Sequence, residues 1–242
     1  MALDGNRILA VIPARGGSKS IPRKNLAKLD GISLVGRAAR TARALDWIDQ
    51  VICSTDDEDI AWEANRNGAE VPFMRPEELS GDRASSIDMW RHAWLAAEAH
   101  YGHGFNVSVL LEPTSPLRRP GDIERTVTQL LQGDHKAAAT VSRTPAHYTP
   151  HKTLTVDASG IIDFYLEGGH RHAIRQTIPA YYHRNGLCYA VRRATLVDES
   201  HIIEDNCLAV VVERHVVNID EPFELDLAAW LLQRDGDPLA GP

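Results

Sequence analysis

The run Ala14-Arg15-Gly16-Gly17-Ser18-Lys19-Ser20-Ile21-Pro22-Arg23-Lys24-Asn25 concentrates the cations Arg15, Lys19, Arg23 and Lys24 just after an apolar, β-branched stretch. Adjacent glycines let backbone N–H groups turn inward as an anion-binding nest, and the four cations can neutralise a polyphosphate. The same composition also suits a solvated basic turn; what favours phosphate is the loop's place at the end of a strand. It is not a Walker A loop, because Ser18 separates Gly17 from Lys19 where that motif needs Gly-Lys-Ser/Thr in sequence. No G-x-G-x-x-G fingerprint is present either. A phosphate loop outside both motifs points to nucleotidyl or sugar-nucleotide chemistry rather than ATP hydrolysis or hydride transfer.

Other residues carry weaker signals. Thr114 and Ser115 follow the apolar run Val107 to Glu112 and supply hydroxyls for a carboxylate or phosphate, although Thr-Ser before Pro116 also suits a loop or cap. Asn218 and Asp220 stand at i and i+2, so on a strand both would face one way and could present oxygens to Mg²⁺. The other reading is that Asp220 caps the final helix. Lys152 and Arg175 could pair with a sugar carboxylate or stand as exposed surface charges. The chain has eleven histidines. In His170-Arg171-His172 the arginine opposes a dication and no Cys or carboxylate lies at zinc spacing, so surface histidines are expected. The three cysteines, Cys53, Cys188 and Cys207, are too scattered for a disulfide framework or a CxxC site and read as reduced, partly buried thiols. There is no Gly-x-Ser-x-Gly nucleophile elbow.

The elements needed to position these residues can be read from the pattern. The 242 residues, 43% hydrophobic and 24% charged, suit one large α/β domain with a core of its own. Strands are expected over Arg7 to Pro13, Val51 to Ser54, Glu70 to Phe73, Val107 to Glu112 and Ala137 to Ser142. Helical spacing occupies Glu58 to Asn65 and Ser85 to Ala99. This alternation implies a Rossmann-like, mostly parallel sheet with helices on both faces. Ligands in such sheets bind beyond the carboxyl ends of the strands, so Ala14 to Asn25, Asp56, and Glu112 to Arg118 become the site loops.

From about 143 to 183 the texture changes to prolines at 145, 150 and 179, an alternating run from Lys152 to Asp157, and a turn at Ala158-Ser159-Gly160. This reads as a hairpin-rich excursion from the single domain 1–242, suited to subunit contact. The chain returns through strands at Leu187 to Val191 and Ala209 to Val212. A closing helix over Pro222 to Gln233 has Phe223, Leu227 and Trp230 at helical spacing. A formal net charge of −7 argues against nucleic acid or anionic lipid as partner. No apolar stretch reaches the ~18 residues of a membrane span. The N-terminus lacks the layout of a secretory signal, and a cytoplasmic location is expected.

Taken together the motifs resemble the acylneuraminate cytidylyltransferases, or CMP-sialic acid synthetases, which join a nonulosonic acid to CTP. The matching residues are Ile12-Pro13-Ala14-Arg15-Gly16-Gly17-Ser18-Lys19 with Lys24-Asn25, Arg75-Pro76 with Ala84-Ser85-Ser86, and Pro113-Thr114-Ser115-Pro116-Leu117-Arg118. They continue in Arg184-Asn185-Gly186 with Tyr189, and in Ile219-Asp220. The order is kept over nearly the whole chain, and the set is specific where any one motif would be weak. The resemblance implies that Arg15, Lys19, Lys24 and Asp220 are catalytic. Ala14, Gly16, Gly17, Ser18, Asn25, Arg75 and Ser86 would hold the nucleotide. Glu112, Thr114, Ser115, Lys152, Arg175, Asn185 and Tyr189 would approach the acid sugar. It also implies Mg²⁺ held at Asp220 and Asn218, and a homodimer formed through the excursion.

Two positions depart from the family's pattern. Asn218 replaces an aspartate, which keeps a carbonyl ligand but removes one negative charge. Glu112 replaces the usual glutamine before Pro-Thr-Ser-Pro. A carboxylate there would repel an anionic sugar unless it were protonated by burial, bonded to a donor or facing a cation, so a different acceptor sugar is expected near this residue. The reaction implied is cytidylyl transfer to a nonulosonic acid with release of pyrophosphate. The alternatives are a cytidylyltransferase for another 3-deoxy-2-keto sugar acid and a non-catalytic nucleotide-binding homologue.

Overall fold

A computed structural model describes residue 3, residues 5–172 and residues 178–239. Its strands in chain order are β1 (Ile8–Pro13), β2 (Lys28–Leu29), β3 (Ile32–Ser33), β4 (Gln50–Ser54), β5 (Val107–Leu110), β6 (Ala137–Arg143), β7 (Leu154–Val156), β8 (Ile162–Phe164), β9 (Tyr182–Arg192) and β10 (Cys207–Val211). The α-helices are α1 (Leu34–Arg43), α2 (Glu58–Arg66), α3 (Ser86–Tyr101), α4 (Pro120–Gln132) and α5 (Pro222–Asp235). Six strands form the main sheet in the order β10-β6-β9-β5-β1-β4. β1 lies parallel to β4 on one side, from Leu9↔Gln50 to Pro13↔Ser54, and parallel to β5 on the other, from Ile8↔Val107 to Val11↔Leu110. β9 runs antiparallel to β5, pairing Leu110 with Tyr189, which makes the sheet mixed.

Strands buried on both faces carry apolar side chains at nearly every position, and β1 shows the consequence. Ile8, Ala10 and Ile12 pack with Ala38, Ala39 and Ala42 of α1, Ile60 and Ala64 of α2, and Ile123, Val127 and Leu130 of α4. Leu9 and Val11 pack on the other side with Met89, Trp90, Ala93, Trp94 and Ala97 of α3, joined by Leu196 and Val197 from a π-helical turn at Ala194–Asp198. Helices therefore cover both faces. Within the apolar layer on the α3 side the Trp90 indole N–H donates to Ser108 Oγ at 2.8 Å, both groups being fully buried.

The helix ends follow ordinary capping chemistry. Ser33 accepts from the Gly36 N–H at 3.0 Å to start α1, and Asp57 accepts from the Ile60 N–H at 3.0 Å to start α2. Ser85 caps α3, which ends on Gly102 in the left-handed region. The periodicity reading passes over α1 and α4. The buried face of α1 mixes Leu34 and Val35 with the small residues Gly36, Ala38, Ala39 and Ala42 and the polar Arg37 and Thr41, and α4 opens on Pro120-Gly121, which reads as a turn although proline suits the first helical position.

Three expectations are corrected. No strand forms over Glu70 to Phe73, where only Glu70 bridges to Ile52 because Pro72 has no N–H with which to continue the ladder. The strand expected over Val107 to Glu112 ends at Leu110, after which the Leu111 N–H still donates to the Val11 carbonyl at 3.0 Å. On α5 the buried residues are Ala228, Leu231 and Leu232, while Phe223 and Trp230 face solvent. Those two aromatics are seven residues apart and share a face, but the leucine-rich face is the one that packs.

The chain divides into two compact units, one comprising residues 1–140, 185–210 and 214–242, the other 141–184 and 211–213. In the second, β7 and β8 form an antiparallel hairpin from Leu154↔Phe164 to Val156↔Ile162. Asp157 Oδ1 accepts from the N–H groups of Ser159 and Ile161, each at 2.9 Å, and Gly160 takes a φ of +85° in the turn. Among the described residues no helix is long and apolar enough to cross a membrane.

Replacing Ser108 by alanine leaves the Trp90 indole N–H without an acceptor in a dry layer, a loss of about 1–3 kcal/mol. Urea denaturation should show a lower midpoint at unchanged slope. An unchanged midpoint would mean that the bond contributes nothing to stability.

Candidate active site

β1 hands the chain to the cationic loop through Ala14, whose N–H donates to the Ser54 carbonyl at 3.0 Å and so extends the sheet by one residue. The far end of the loop is tied back by Asn25, whose Nδ2 donates to the Arg15 carbonyl at 2.9 Å. Between these ties the Gly16 N–H donates to Asp56 Oδ1 at 2.9 Å, and a Cβ on Gly16 would lie 2.9 Å from Asp57 Oδ2. The loop thus sits directly on the start of α2, close enough that only glycine fits at position 16.

A cleft of about 590 Å³ opens at the carboxyl ends of β1 and β5 within the first unit. It is lined by Arg15, Gly17, Ser18, Lys19, Lys24 and Asn25 from the loop, by Arg75 and Ser86, by Glu112 and Thr114 after β5, and by Asn218 and Asp220. Residues drawn from five stretches of sequence meet at one surface because each stretch leaves the sheet or enters a helix there. The segment 218–220 is not a strand. It is pinned by the Ile219 N–H, which donates to the Thr114 carbonyl at 2.7 Å, and by Lys24 Nζ, which donates to the Ile219 carbonyl at 2.8 Å. Nor does the Asp220 side chain cap α5: Glu221 is the cap residue, and Glu224 accepts from the N–H groups of both Asp220 and Glu221.

Ala14, Gly16, Ser115, Asn185 and Tyr189, also expected at the site, are not among the residues lining this cleft. Ala14 is in the core, and the Gly16 N–H is spent on Asp56 rather than turned toward the cleft. Ser115 is buried and donates to the Asn185 carbonyl at 3.0 Å, with Asn218 Oδ1 a second acceptor at 3.3 Å. Asn185 is buried, and its Oδ1 accepts from the Leu187 N–H at 3.2 Å. Tyr189 packs with the α3 core layer. Arg23, in the left-handed region at φ 54°, turns away to Asp59 at 2.5 Å and does not line the cleft. Lys152 belongs to the second unit, and Arg175 lies outside the described residues. The physical reason is common to Ser115, after β5, and Asn185, within β9: each buried side chain bonds a nearby backbone group.

The cleft's own charges are largely paired. Arg15 and Lys19 both reach Asp82, at 3.0 Å and 2.5 Å, and Lys24 reaches Asp220 at 3.1 Å. Arg75 is buried and donates through Nε to Ser54 Oγ at 3.0 Å and through its terminal nitrogen to the Ser54 carbonyl. Burial lowers its pKa.

Arg118, which the motif contains but whose role the sequence does not disclose, is 1% exposed. It donates to the carbonyls of Leu187, Glu112 and Gly186, tying the loop after β5 to the start of β9's buried half. Burial pulls its pKa down to about 10, with Cys188 and Glu112 opposing the shift. Glu112 therefore has a buried cation close behind it, one of the conditions under which a carboxylate is tolerated at this point. Gly186, at φ +69°, lets the backbone pass: a Cβ there would stand 2.4 Å from both Glu112 Oε2 and Ser115 Oγ. Cys53 and Cys188 are buried thiols pushed up to about 12 by desolvation, and neither is poised as a nucleophile.

Among the described residues no group of three or more His, Cys, Asp or Glu side chains could hold a metal. Asp220 and Asn218 are a smaller set, with Asn218 Nδ2 at 3.5 Å from Asp220 Oδ2. The amide turns its nitrogen to Asp220 and its oxygen to Ser115, so Asp220 is the carboxylate available to Mg²⁺ and Asn218 would add an oxygen only with its amide turned over; such a pair would leave the ion waters and phosphate oxygens as its other ligands and is not an all-protein cage.

The cytidylyltransferase family model matches residues 9–182. Flagellin modification protein B of Campylobacter coli is 27% identical over 229 residues, covering 94% of this chain and 96% of that one. The CMP-N,N'-diacetyllegionaminic acid synthase of Campylobacter jejuni is 28% identical over 226 residues, covering 93% and 94%. In fold, the chain is similar to a CMP-2-keto-3-deoxy-manno-octonic acid synthetase solved with CTP, at a TM-score of 0.69 and 19% identity over 95% of this chain and 99% of that one. The matched stretch begins in β1 and takes in the cationic loop, the cleft wall at Arg75 and Ser86, and the turn at Glu112 to Arg118: the chain belongs to the cytidylyltransferase family of nucleotidyl-transferring enzymes.

Proposed function

We propose that this protein condenses CTP with a nonulosonic acid, giving the CMP-sugar and pyrophosphate. The observation that carries the reading is the cleft itself, where Arg15, Lys19, Lys24 and Arg75 line the same surface as Asn218 and Asp220 in a chain of the cytidylyltransferase family. Relatives aligned over nearly the full chain are named for legionaminic and pseudaminic acid, which supports an acid sugar as the acceptor. The anomeric hydroxyl attacks the α-phosphorus of CTP in line, the bond from that phosphorus to the oxygen bridging to the β-phosphate breaks, pyrophosphate leaves with the electron pair, and the hydroxyl proton passes to solvent.

Catalysis by this chain is positioning plus charge neutralisation. Arg15 and Lys19 hold the phosphate tail once they exchange Asp82 for it, and Lys24 bridges the tail to the 218–220 segment. Asn25 acts by tying the loop and Arg75 by fixing the wall beside Ser54, while Ser18, Gly17 and Ser86 line the nucleotide side. Asp220 and Asn218 would hold Mg²⁺, whose charge favours the departing phosphates. Glu112 and Thr114 face the acceptor, and the buried charge of Arg118 fixes the Glu112 backbone. Ser115 and Asn185 serve as positioning residues. CTP as donor supports a cytoplasmic location.

The second unit supports a homodimer. Val156, Ile161, Ile162 and Tyr165 are exposed on or beside its hairpin, and a second copy of the chain is the simplest cover for such a patch.

Incubating the protein with Mg²⁺, each of the four nucleoside triphosphates and a panel of nonulosonic and 3-deoxy-2-keto acids should give a product with the mass of a CMP-sugar from CTP alone. CTP binding without product would leave a non-catalytic nucleotide-binding homologue. Lys19→Ala should lower kcat about 100-fold while the KM for the sugar shifts little; undiminished turnover would overturn the role given to Lys19. Ile162→Asp should convert a dimer to a monomer in light scattering, and an unaltered mass would place any interface elsewhere.

A further inference from the structure

Asp82 is the carboxylate that the proposed reaction does not use. Among the described residues its side chain contacts only Arg15 and Lys19, at 3.0 Å and 2.5 Å, and it holds no backbone group of its own loop. The loop is shaped without it, by the Ser80 N–H donating to the Glu77 carbonyl at 3.0 Å and the Ala84 N–H to the Gly81 carbonyl at 3.1 Å. The side chain is half exposed, so burial does not explain it. The two cations hold the Asp82 carboxyl below the usual carboxylate range, Lys19 contributing most. The other two cleft cations are provided for separately, Lys24 by Asp220 and the Ile219 carbonyl and Arg75 by Ser54.

We propose that Asp82 is a place-holding anion: it keeps Arg15 and Lys19 paired while the phosphate site is empty and takes them back as pyrophosphate leaves. This rests on the reading that the cleft binds the triphosphate tail. A phosphate tail with several charges outcompetes one carboxylate for a guanidinium and an ammonium, so entry is not blocked. Exposed ion pairs are individually weak, so the exchange is easily reversed. Asp82 opposes tight binding in two ways of the same sign: its pairs must break, and its charge then repels the bound anion. What it contributes in return, ordering of the long Arg15 and Lys19 side chains, is smaller because Lys19 stays exposed even when paired. Asp82 thereby sets how readily the product leaves.

The test is calorimetric titration of inorganic pyrophosphate and of CTP into the full chain as wild type, Asp82→Asn, Asp82→Ala and Asp82→Glu. Both neutral variants should bind pyrophosphate about 3- to 10-fold more tightly than wild type, and Asp82→Glu should behave as wild type. The gain should shrink as salt is raised, which a purely structural effect would not do. If wild type binds pyrophosphate and both neutral variants bind it equally or more weakly, the inference falls while the functional reading stands. If wild type binds neither pyrophosphate nor CTP, the functional reading falls and takes the inference with it.

Discussion

A concentration of positive charge in a protein of net charge −7 has to be held where it can act, and backbone ties do the holding here. The Asn25 side chain closes the loop onto the Arg15 carbonyl, Ala14 extends β1 onto β4, and Asp56 takes the Gly16 N–H. None of these bonds uses a cationic side chain. The side chains of Arg15 and Lys19 are not needed for these ties, whereas Lys24 also holds the Ile219 carbonyl. The constraint extends into the sequence at Gly16, where any side chain would meet Asp57, and into α2, whose N-terminal acids double as the loop's support.

The opposite wall is organised by a different device. Arg118 is a buried cation with carbonyls rather than a carboxylate as its direct hydrogen-bond partners, and those carbonyls come from the loop after β5 and the start of the buried part of β9. Burying an unpaired charge is costly, and the three carbonyls that accept from Nε and one terminal nitrogen offset part of that cost. Its charge also compensates Glu112, and Gly186 leaves room for that carboxylate. One wall is thus fixed by amide and carbonyl ties under mobile charges, the other by a fixed charge under a carboxylate. Between them the cleft is lined by the cations Arg15, Lys19, Lys24 and Arg75 against the acids Asp82, Glu112 and Asp220, and Asp82 and Asp220 are paired to three of those cations. In the proposed reaction a polyanion would exchange partners with these acids rather than enter a pocket of unpaired cations.

The strands and helices with a strong apolar period were legible: β1, β4, α2, α3 and the strand beginning at Val107 all fall close to where the pattern puts them. α1 and α4 were not, since alanine and arginine or an opening Pro-Gly weaken the period. Glu70 to Phe73 was misread because one proline outweighs the strand-forming Val71 and Phe73. Of the site, the loop cations and the polar residues at 112, 114, 218 and 220 could be named from type and position. Asp82 carries no sequence signal, being one acid among many. Ser115 and Asn185 look like ligand groups in sequence and prove to be hydrogen-bonded inside the wall.

What the amino-acid order determined by itself is local: which runs are buried enough to be parallel strands, which loop can hold a phosphate, and which motifs mark a cytidylyltransferase. Only the tertiary structure decided the pairing of charges. Whether Arg23 turns to Asp59, Arg15 to Asp82 or Arg118 to bare carbonyls depends on which distant segment lies within about 3 Å, and Coulomb and hydrogen-bond energies fall too steeply with distance to be read from spacing along the chain.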